Sequence, residues 1–244
     1  MTEPVRTHRA KSVVDAARLH HAQARHQRGL TLVEGPDLVR DVVAAGANIV
    51  EVFGIDPPGG SDQIPVDRRA LGRLAGTGSP RGPVAVVQIP EERIDFERNL
   101  LVSVGVSDPG NVGTMIRTAA AFGWGFAYMS GSADPWAPKV VRAGAGGQFQ
   151  TSIKGVADLD ELERFTLVAT VVSGGRALDE VDERPVALLI GEESHGLDPV
   201  VVATAAHRVT IPTSGPTESL NAAVAAGIAV YELSRRSGEQ TTDV

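Results

Sequence analysis

Asp108-Pro109-Gly110-Asn111-Val112-Gly113-Thr114-Met115-Ile116-Arg117 is the stretch on which the reading of this chain turns. It follows Leu100-Leu101-Val102-Ser103-Val104-Gly105-Val106, an apolar run with the length of a buried strand. Asp108-Pro109-Gly110 stops that strand, because proline fixes φ and glycine accepts positive φ. From Asn111 to Phe122 the apolar residues Val112, Met115, Ile116, Ala119, Ala120 and Phe122 recur at helical spacing. The pattern predicts a strand, a turn and a helix with Asn111 at its cap. The carboxyl end of a strand is where open α/β sheets collect ligands. Arg117, two turns in, interrupts small and apolar residues. Taken alone, these residues fit a capped helix with a paired arginine as well as they fit a site.

Two further junctions favour a site. Pro185-Val186-Ala187-Leu188-Leu189-Ile190 is an apolar strand running into Gly191-Glu192-Glu193-Ser194-His195-Gly196-Leu197, a turn with two carboxylates and an imidazole. Val209-Thr210-Ile211 ends in Pro212-Thr213-Ser214-Gly215-Pro216-Thr217-Glu218-Ser219-Leu220-Asn221, before an Ala-rich helix from Ala222 to Leu233. Ser219 or a neighbour is placed to cap that helix. Three polar-tipped strand ends exceed what packing requires.

These segments resemble the three signature motifs of the SpoU (TrmH-like) branch of the SPOUT RNA methyltransferases. The first matches at Asn111, Gly113, Arg117, Ala119 and Phe122-Gly123, and the second at Gly191, Glu193 and Gly196-Leu197. The third matches at Ile211-Pro212, Gly215 and Ser219-Leu220-Asn221. Upstream, Leu32-Val33-Glu34-Gly35-Pro36 is similar to the entry of the substrate-binding domain that many members carry. Arg81 departs from the pattern, standing where a glutamine commonly precedes the glycine.

The resemblance implies an α/β chain whose C-terminal methyltransferase domain is a trefoil knot on a mostly parallel sheet, preceded by a small α/β substrate-binding domain. It implies S-adenosylmethionine held largely by backbone groups, with Thr170, Gly191, Ile211 and Leu220 as contacts, and no metal. It further implies S-adenosylmethionine-dependent 2'-O-ribose methylation of RNA, by a homodimer whose site is built across two copies. Ribosomal RNA is favoured over transfer RNA because the N-terminal domain is closer to those of members that modify ribosomal RNA. A transfer RNA ribose methyltransferase, or a catalytically silent RNA-binding assembly factor of the same fold, stays open. So does an unrelated α/β hydrolase using Glu193 with His195. The chain has no Gly-x-Gly-x-x-Gly after a strand, so an ordinary dinucleotide fingerprint is missing.

The chemistry assigns roles. Methyl transfer from a sulfonium to a ribose hydroxyl is an in-line displacement, so the protein must align the acceptor and ease its proton away. Arg117 is the candidate for stabilising the alkoxide, since a guanidinium is a poor literal base. Asn111 can fix the ribose or Arg117. Glu193 is expected to hold Arg117 or a substrate hydroxyl, and Ser219 and Asn221 to position the acceptor. His195 is an acid/base candidate by residue type, because imidazoles change charge near neutral pH. The family does not require it, and it reads as a rim residue.

Composition is consistent. The 42% hydrophobic content over 244 residues can fill a real core, and 4% aromatic content makes that core aliphatic. Without cysteine there is no disulfide, thiolate nucleophile or cysteine metal site. No apolar run has spanning length and no signal-peptide pattern stands at the start, so the expected compartment is the cytoplasm. The net charge of -7 is unevenly spread. Residues 1–100 carry 13 Lys/Arg against 13 Asp/Glu, whereas residues 101–244 carry 10 against 17. Residues 1–28 hold six cations against two acids, with His8, His20, His21 and His26, which suggests a basic arm for phosphates.

Punctuation sets the organisation: an RNA-binding domain with the basic arm over 1–90, a polar linker over 91–99, the methyltransferase domain over 100–236 and a tail over 237–244. Residues 11–28 read as one basic helix closed by Gly29, and from Leu100 strands and helices alternate as in a parallel sheet.

Overall fold

The computed structural model describes residues 5–58, 61–76, 79–215 and 219–236. The expected tail at 237–244 lies outside the described residues, as do 59–60, 77–78 and 216–218 of the expected loops. The first part of the chain runs α1 (Lys11–Ala17), α2 (Ala22–Arg28), β1 (Leu30–Glu34), α3 (Pro36–Ala44), β2 (Ile49–Gly54), β3 (Ile64–Pro65), α4 (Arg68–Ala75) and β4 (Val84–Gln88). Then come β5 (Leu100–Ser103), α5 (Pro109–Ala121), β6 (Gly125–Tyr128), α6 (Pro138–Ala143), β7 (Ile153–Gly155), β8 (Thr166–Thr170), β9 (Val186–Ile190), α7 (Pro199–Thr204), β10 (His207–Val209) and α8 (Ala222–Arg236).

Two compact units result: Met1–Glu91 with Asp134–Phe149, and Glu92–Ala133 with Gln150–Val244. This differs from the expected division in two ways. Residues 92–99 belong to the second unit, where Phe96 stacks on Phe165 at 5.4 Å between centroids and under the Arg164 guanidinium. Buried Asn99 there accepts from the Val186 amide, 3.0 Å. Polarity marks this segment as a surface strap rather than a linker. Residues 134–149, which fall inside the expected methyltransferase domain, join the first unit. There α6 packs on β1, and Val141 enters the cluster of Val33, Val39, Val42, Ala85 and Val87.

The first unit's sheet has the order β1-β4-β2-β3, antiparallel except between β2 and β3. The basic helix expected over 11–28 is broken: a 3₁₀ turn covers Arg18–His20, and His21 is extended at φ -93° and ψ 131°. Arg25, counted toward the arm's phosphate contacts, is instead 3% exposed and bound to Asp134.

In the second unit six strands lie parallel in the order β10-β8-β9-β5-β6-β7. The two central strands β5 and β9 are buried at every position, as strands covered on both faces must be. From β5 the chain builds outward through β6 and β7, then returns to lay β8, β9 and β10 on the opposite side. That reversal opens a crevice beyond the carboxyl ends of β5 and β9. The strand expected over 100–106 ends at Ser103, where Gly105 turns the chain at φ +73°. Helix α5 buries Val112, Met115, Ile116 and Ala119 and packs against α8. Among the described residues, no helix is long and apolar enough to cross a membrane.

Candidate functional site

Helix α5 begins two residues before Asn111. Pro109 occupies its first turn, and the Asp108 carboxylate accepts from the Asn111 amide at 2.8 Å. Asp108 is thus the cap, and the expectation that Asn111 fills that place is corrected. Proline pre-sets the first helical φ, which fixes the cap at the preceding residue. The Asn111 side chain is left free for other work.

That work is visible at the crevice. Asn221 Nδ2 donates to Asn111 Oδ1 at 2.9 Å and to Glu193 Oε1. Its Oδ1 accepts from the Ala223 and Val224 amides at 3.0 and 3.2 Å, so Asn221, not Ser219, caps α8. Glu193 Oε1 also accepts from the Ala222 amide, 3.3 Å. A carboxylate facing a helix amino terminus is favoured by the exposed amides and the dipole. One amide side chain therefore ties together three loops that are far apart in sequence. Of the two expected partners of Glu193, Arg117 and a substrate hydroxyl, Arg117 is not engaged: Glu193 holds Asn221 and the start of α8.

Beside this cluster lies a cavity of about 340 Å³. Thr170, Gly191, Ile211 and Leu220 all line it, together with Glu193, Ser219 and His195. Thr170 Oγ1 is committed to Leu189 O at 2.9 Å, so its wall contribution is backbone and methyl. His195 stands on the rim with its side chain 84% exposed, its Nδ1 2.7 Å from Ser194 Oγ and 3.5 Å from Glu192. Both neighbours face the same ring nitrogen, so this is not the relay a hydrolase needs, in which base and orienting acid use opposite nitrogens.

Gly191 shapes the cavity wall, and Gly175 permits a close backbone crossing next to Val209, which also lines it. A Cβ on Gly191 would stand 2.3 Å from Gly196 C and 2.5 Å from Leu197 N, so the loop folds back onto its own strand end. A Cβ on Gly175 would stand 2.6 Å from Val209 C, where two segments cross backbone to backbone. Gly175 went unrecognised in the sequence; the signal available was Ser173-Gly174-Gly175 following an apolar strand. Gly191→Ala forces a backbone shift in the lining, and overpacking of this kind costs roughly 1–3 kcal/mol. Calorimetry of the variant should show cofactor affinity reduced about 10- to 100-fold, while the far-UV spectrum keeps its wild-type shape.

Arg117 stands apart. It is exposed, lines no part of the cavity, and has no hydrogen-bond or ion-pair partner among the described residues. Six residues beyond Asn111, it lies roughly 9 Å along the axis and about 120° around the helix. The structure therefore brings together Asn111, Glu193 and Asn221 beside Ser219 and the cavity, and leaves Arg117 on an outer face.

A parallel α/β sheet with a cavity beyond the carboxyl ends of β8, β9 and β10 is the arrangement of the ligand-binding α/β class. Residues 98–231 match the SpoU rRNA Methylase family. The chain belongs to that family. It is 30% identical, over 91% of this chain and 96% of its relative, to the 23S rRNA (guanosine(2553)-2'-O)-methyltransferase RlmP of Bacillus subtilis. It is 32% identical to an uncharacterized tRNA/rRNA methyltransferase of Synechocystis, covering 92% and 90%. Among solved structures it resembles the SpoU methyltransferase AviRb from Streptomyces viridochromogenes in complex with AdoMet. The TM-score is 0.84 at 25% identity, covering 96% of this chain and all of that one. An AdoMet-bound rRNA methyltransferase from Sinorhizobium meliloti aligns with TM-score 0.82 at 25% identity, covering 97% and 99%. The expected SpoU fold class is therefore the observed one.

Proposed function

We propose that this protein is an S-adenosylmethionine-dependent RNA ribose-2'-O-methyltransferase acting on ribosomal RNA, working in the cytoplasm as a homodimer. The observation that carries the reading is the junction of Asn111, Glu193 and Asn221 on the lip of the cavity. Ribosomal RNA is favoured because the Bacillus subtilis relative, similar across nearly the whole chain, is named for that substrate.

The residues present fit the cofactor. The volume falls within the roughly 300–1,000 Å³ of small-molecule sites. Ile211 and Leu220 offer apolar surface, while the Gly191 loop, closed too tightly for a Cβ, offers backbone groups. When bound, S-adenosylmethionine supplies an activated methyl group on a positively charged sulfur. The chain then has two tasks. Asn111, Asn221 and Ser219 orient the acceptor ribose, and such alignment can lower a barrier by about 7–11 kcal/mol in ideal cases. Arg117 steadies the negative charge that grows on the ribose oxygen as its proton passes to a phosphate oxygen of the RNA.

Arg117 reaches a site in this reading because a second copy brings it there. On α8 the apolar Val224, Ile228 and Tyr231 are 51%, 40% and 51% exposed at a spacing that puts them on one stripe. Phe122, at the end of α5, meets Tyr231 edge-on at 6.2 Å. This apolar α5–α8 face, with Arg117 on α5, is the proposed dimer contact.

The test is direct. Purified protein with labelled S-adenosylmethionine and deproteinised ribosomal RNA should yield label at a ribose 2'-oxygen, found as an alkali-resistant dinucleotide. RNA binding without transfer would replace this reading with the silent assembly factor, and label in transfer RNA alone would move the substrate.

A further inference from the structure

We infer that α4 and the first part of the basic arm form one composite surface that grips RNA phosphates. This rests on the reading of the chain as an RNA methyltransferase and names the side chains that hold the substrate outside the cavity. Helix α4 carries Arg68, Arg69 and Arg73, all exposed, and packs against α1. The arm is laid along it: Arg6 pairs with Val66 as a β-bridge, the Asp67 amide donates to Arg6 O at 3.1 Å, and Arg73 donates to His8 O at 2.8 Å. His20 meets Leu74 O at 2.9 Å at the far end of α4.

Residues 5–20 and 61–76 together hold seven cations (Arg6, Arg9, Lys11, Arg18, Arg68, Arg69, Arg73) against Asp15, Asp62 and Asp67, a formal +4 in a chain of -7. Two of those acids are already engaged. Asp15 holds Arg18 at 3.2 Å, and Asp67 caps α4 through the Ala70 amide at 2.7 Å. Arg9, Lys11, Arg68 and Arg69 have no hydrogen-bond or ion-pair partner among the described residues. Exposed cations without partners on a locally positive surface suit a polyanion.

The placement also runs against what the helix itself would select. Arg68 and Arg69 occupy the first turn, at the positive end of the dipole, where acids stabilise and cations do not. Arg69 and Arg73 stand one turn apart as a like-charge pair, an arrangement that weakens a helix by a few tenths of a kcal/mol. Folding gains nothing from the charges of Arg68 and Arg69, whereas neutralising phosphates accounts for both; Arg73, in the last turn, suits the dipole and also holds the arm through His8 O.

The experiment uses full-length protein and deproteinised 23S ribosomal RNA, with affinity followed from 50 to 300 mM KCl. Each phosphate-contacting cation removed should reduce the slope of log affinity against log salt by roughly 0.7–0.9. Arg68→Gln/Arg69→Gln/Arg73→Gln should lower that slope by about two and weaken binding roughly tenfold or more at 100 mM. S-adenosylmethionine affinity should stay at its wild-type value. Arg40→Gln, which removes an arginine already paired with Asp37 and Asp41, should leave the slope unchanged. A wild-type slope in the triple variant, with wild-type protein binding the RNA and the cofactor, overturns the surface alone. Wild-type protein that binds no RNA overturns the surface together with the functional reading.

Discussion

Replacing Arg117 by alanine lowers kcat for methyl transfer roughly 10²–10³-fold, the usual loss when one preorganised charge-stabilising donor is removed. S-adenosylmethionine affinity holds, because Arg117 is no part of the cavity wall. The fold holds too, because the side chain is exposed and has no partner among the described residues to lose. These outcomes separate a catalytic role from a structural one, in which stability would fall along with rate. The proposed dimer adds a sharper outcome. Arg117→Ala carries an intact cavity, and Gly191→Ala carries an intact Arg117. If each site takes Arg117 from the opposite copy, reassorted mixtures contain one complete site per heterodimer. Activity then returns to roughly a quarter of wild type, as random pairing of symmetric dimers gives. No recovery on mixing would place Arg117 and the cavity of one copy in the same site.

The gap between Arg117 and its expected partners shows what a linear sequence can convey. The parallel sheet was legible because Leu100–Val104 and Val186–Ile190 are nearly uninterrupted apolar runs, as strands buried on both faces require. The order of those strands was not legible, since nothing local says that β9 inserts between β8 and β5. Asp108 and Asn111 carry equally good capping side chains, and proline between them decides for Asp108 only through its fixed φ. The break at His21 has neither glycine nor proline to announce it. Glu193 and Asn221 were singled out only through motif resemblance. Their direct bond joins residues 28 apart and depends on how α8 enters the crevice. The three arginines of α4 were in plain view, yet the acid content of the chain as a whole conceals a local excess of positive charge.

Asp134→Ala is expected to produce the largest loss of stability, and Arg25 is the reason. Its guanidinium donates through Nε and Nη2 to Asp134 Oδ2 at 3.2 and 2.5 Å, and through Nη1 to Leu19 O and His20 O at 2.8 and 3.0 Å. The carboxylate's other oxygen accepts from the Trp136 amide at 2.8 Å. Asp134 thus both neutralises a cation that is 3% exposed and shapes the turn leading to α6. A buried ion pair gains little over an apolar pair of similar volume, because removing both charges from water offsets most of their attraction. Removing one partner is different: the remaining charge stays desolvated without compensation, at about 3–5 kcal/mol. For a chain of this size that lowers Tm by on the order of 10 °C. Asp134→Asn keeps an acceptor for the Trp136 amide but loses the charge, and should fall between wild type and alanine. Arg25→Met in the Asp134→Asn background removes the stranded cation and should recover much of the loss. Equal melting temperatures for Asp134→Ala and wild type would show that the two carbonyls alone suffice to hold Arg25, and that the segment 134–149 is secured to the first unit by its apolar contacts around Val141.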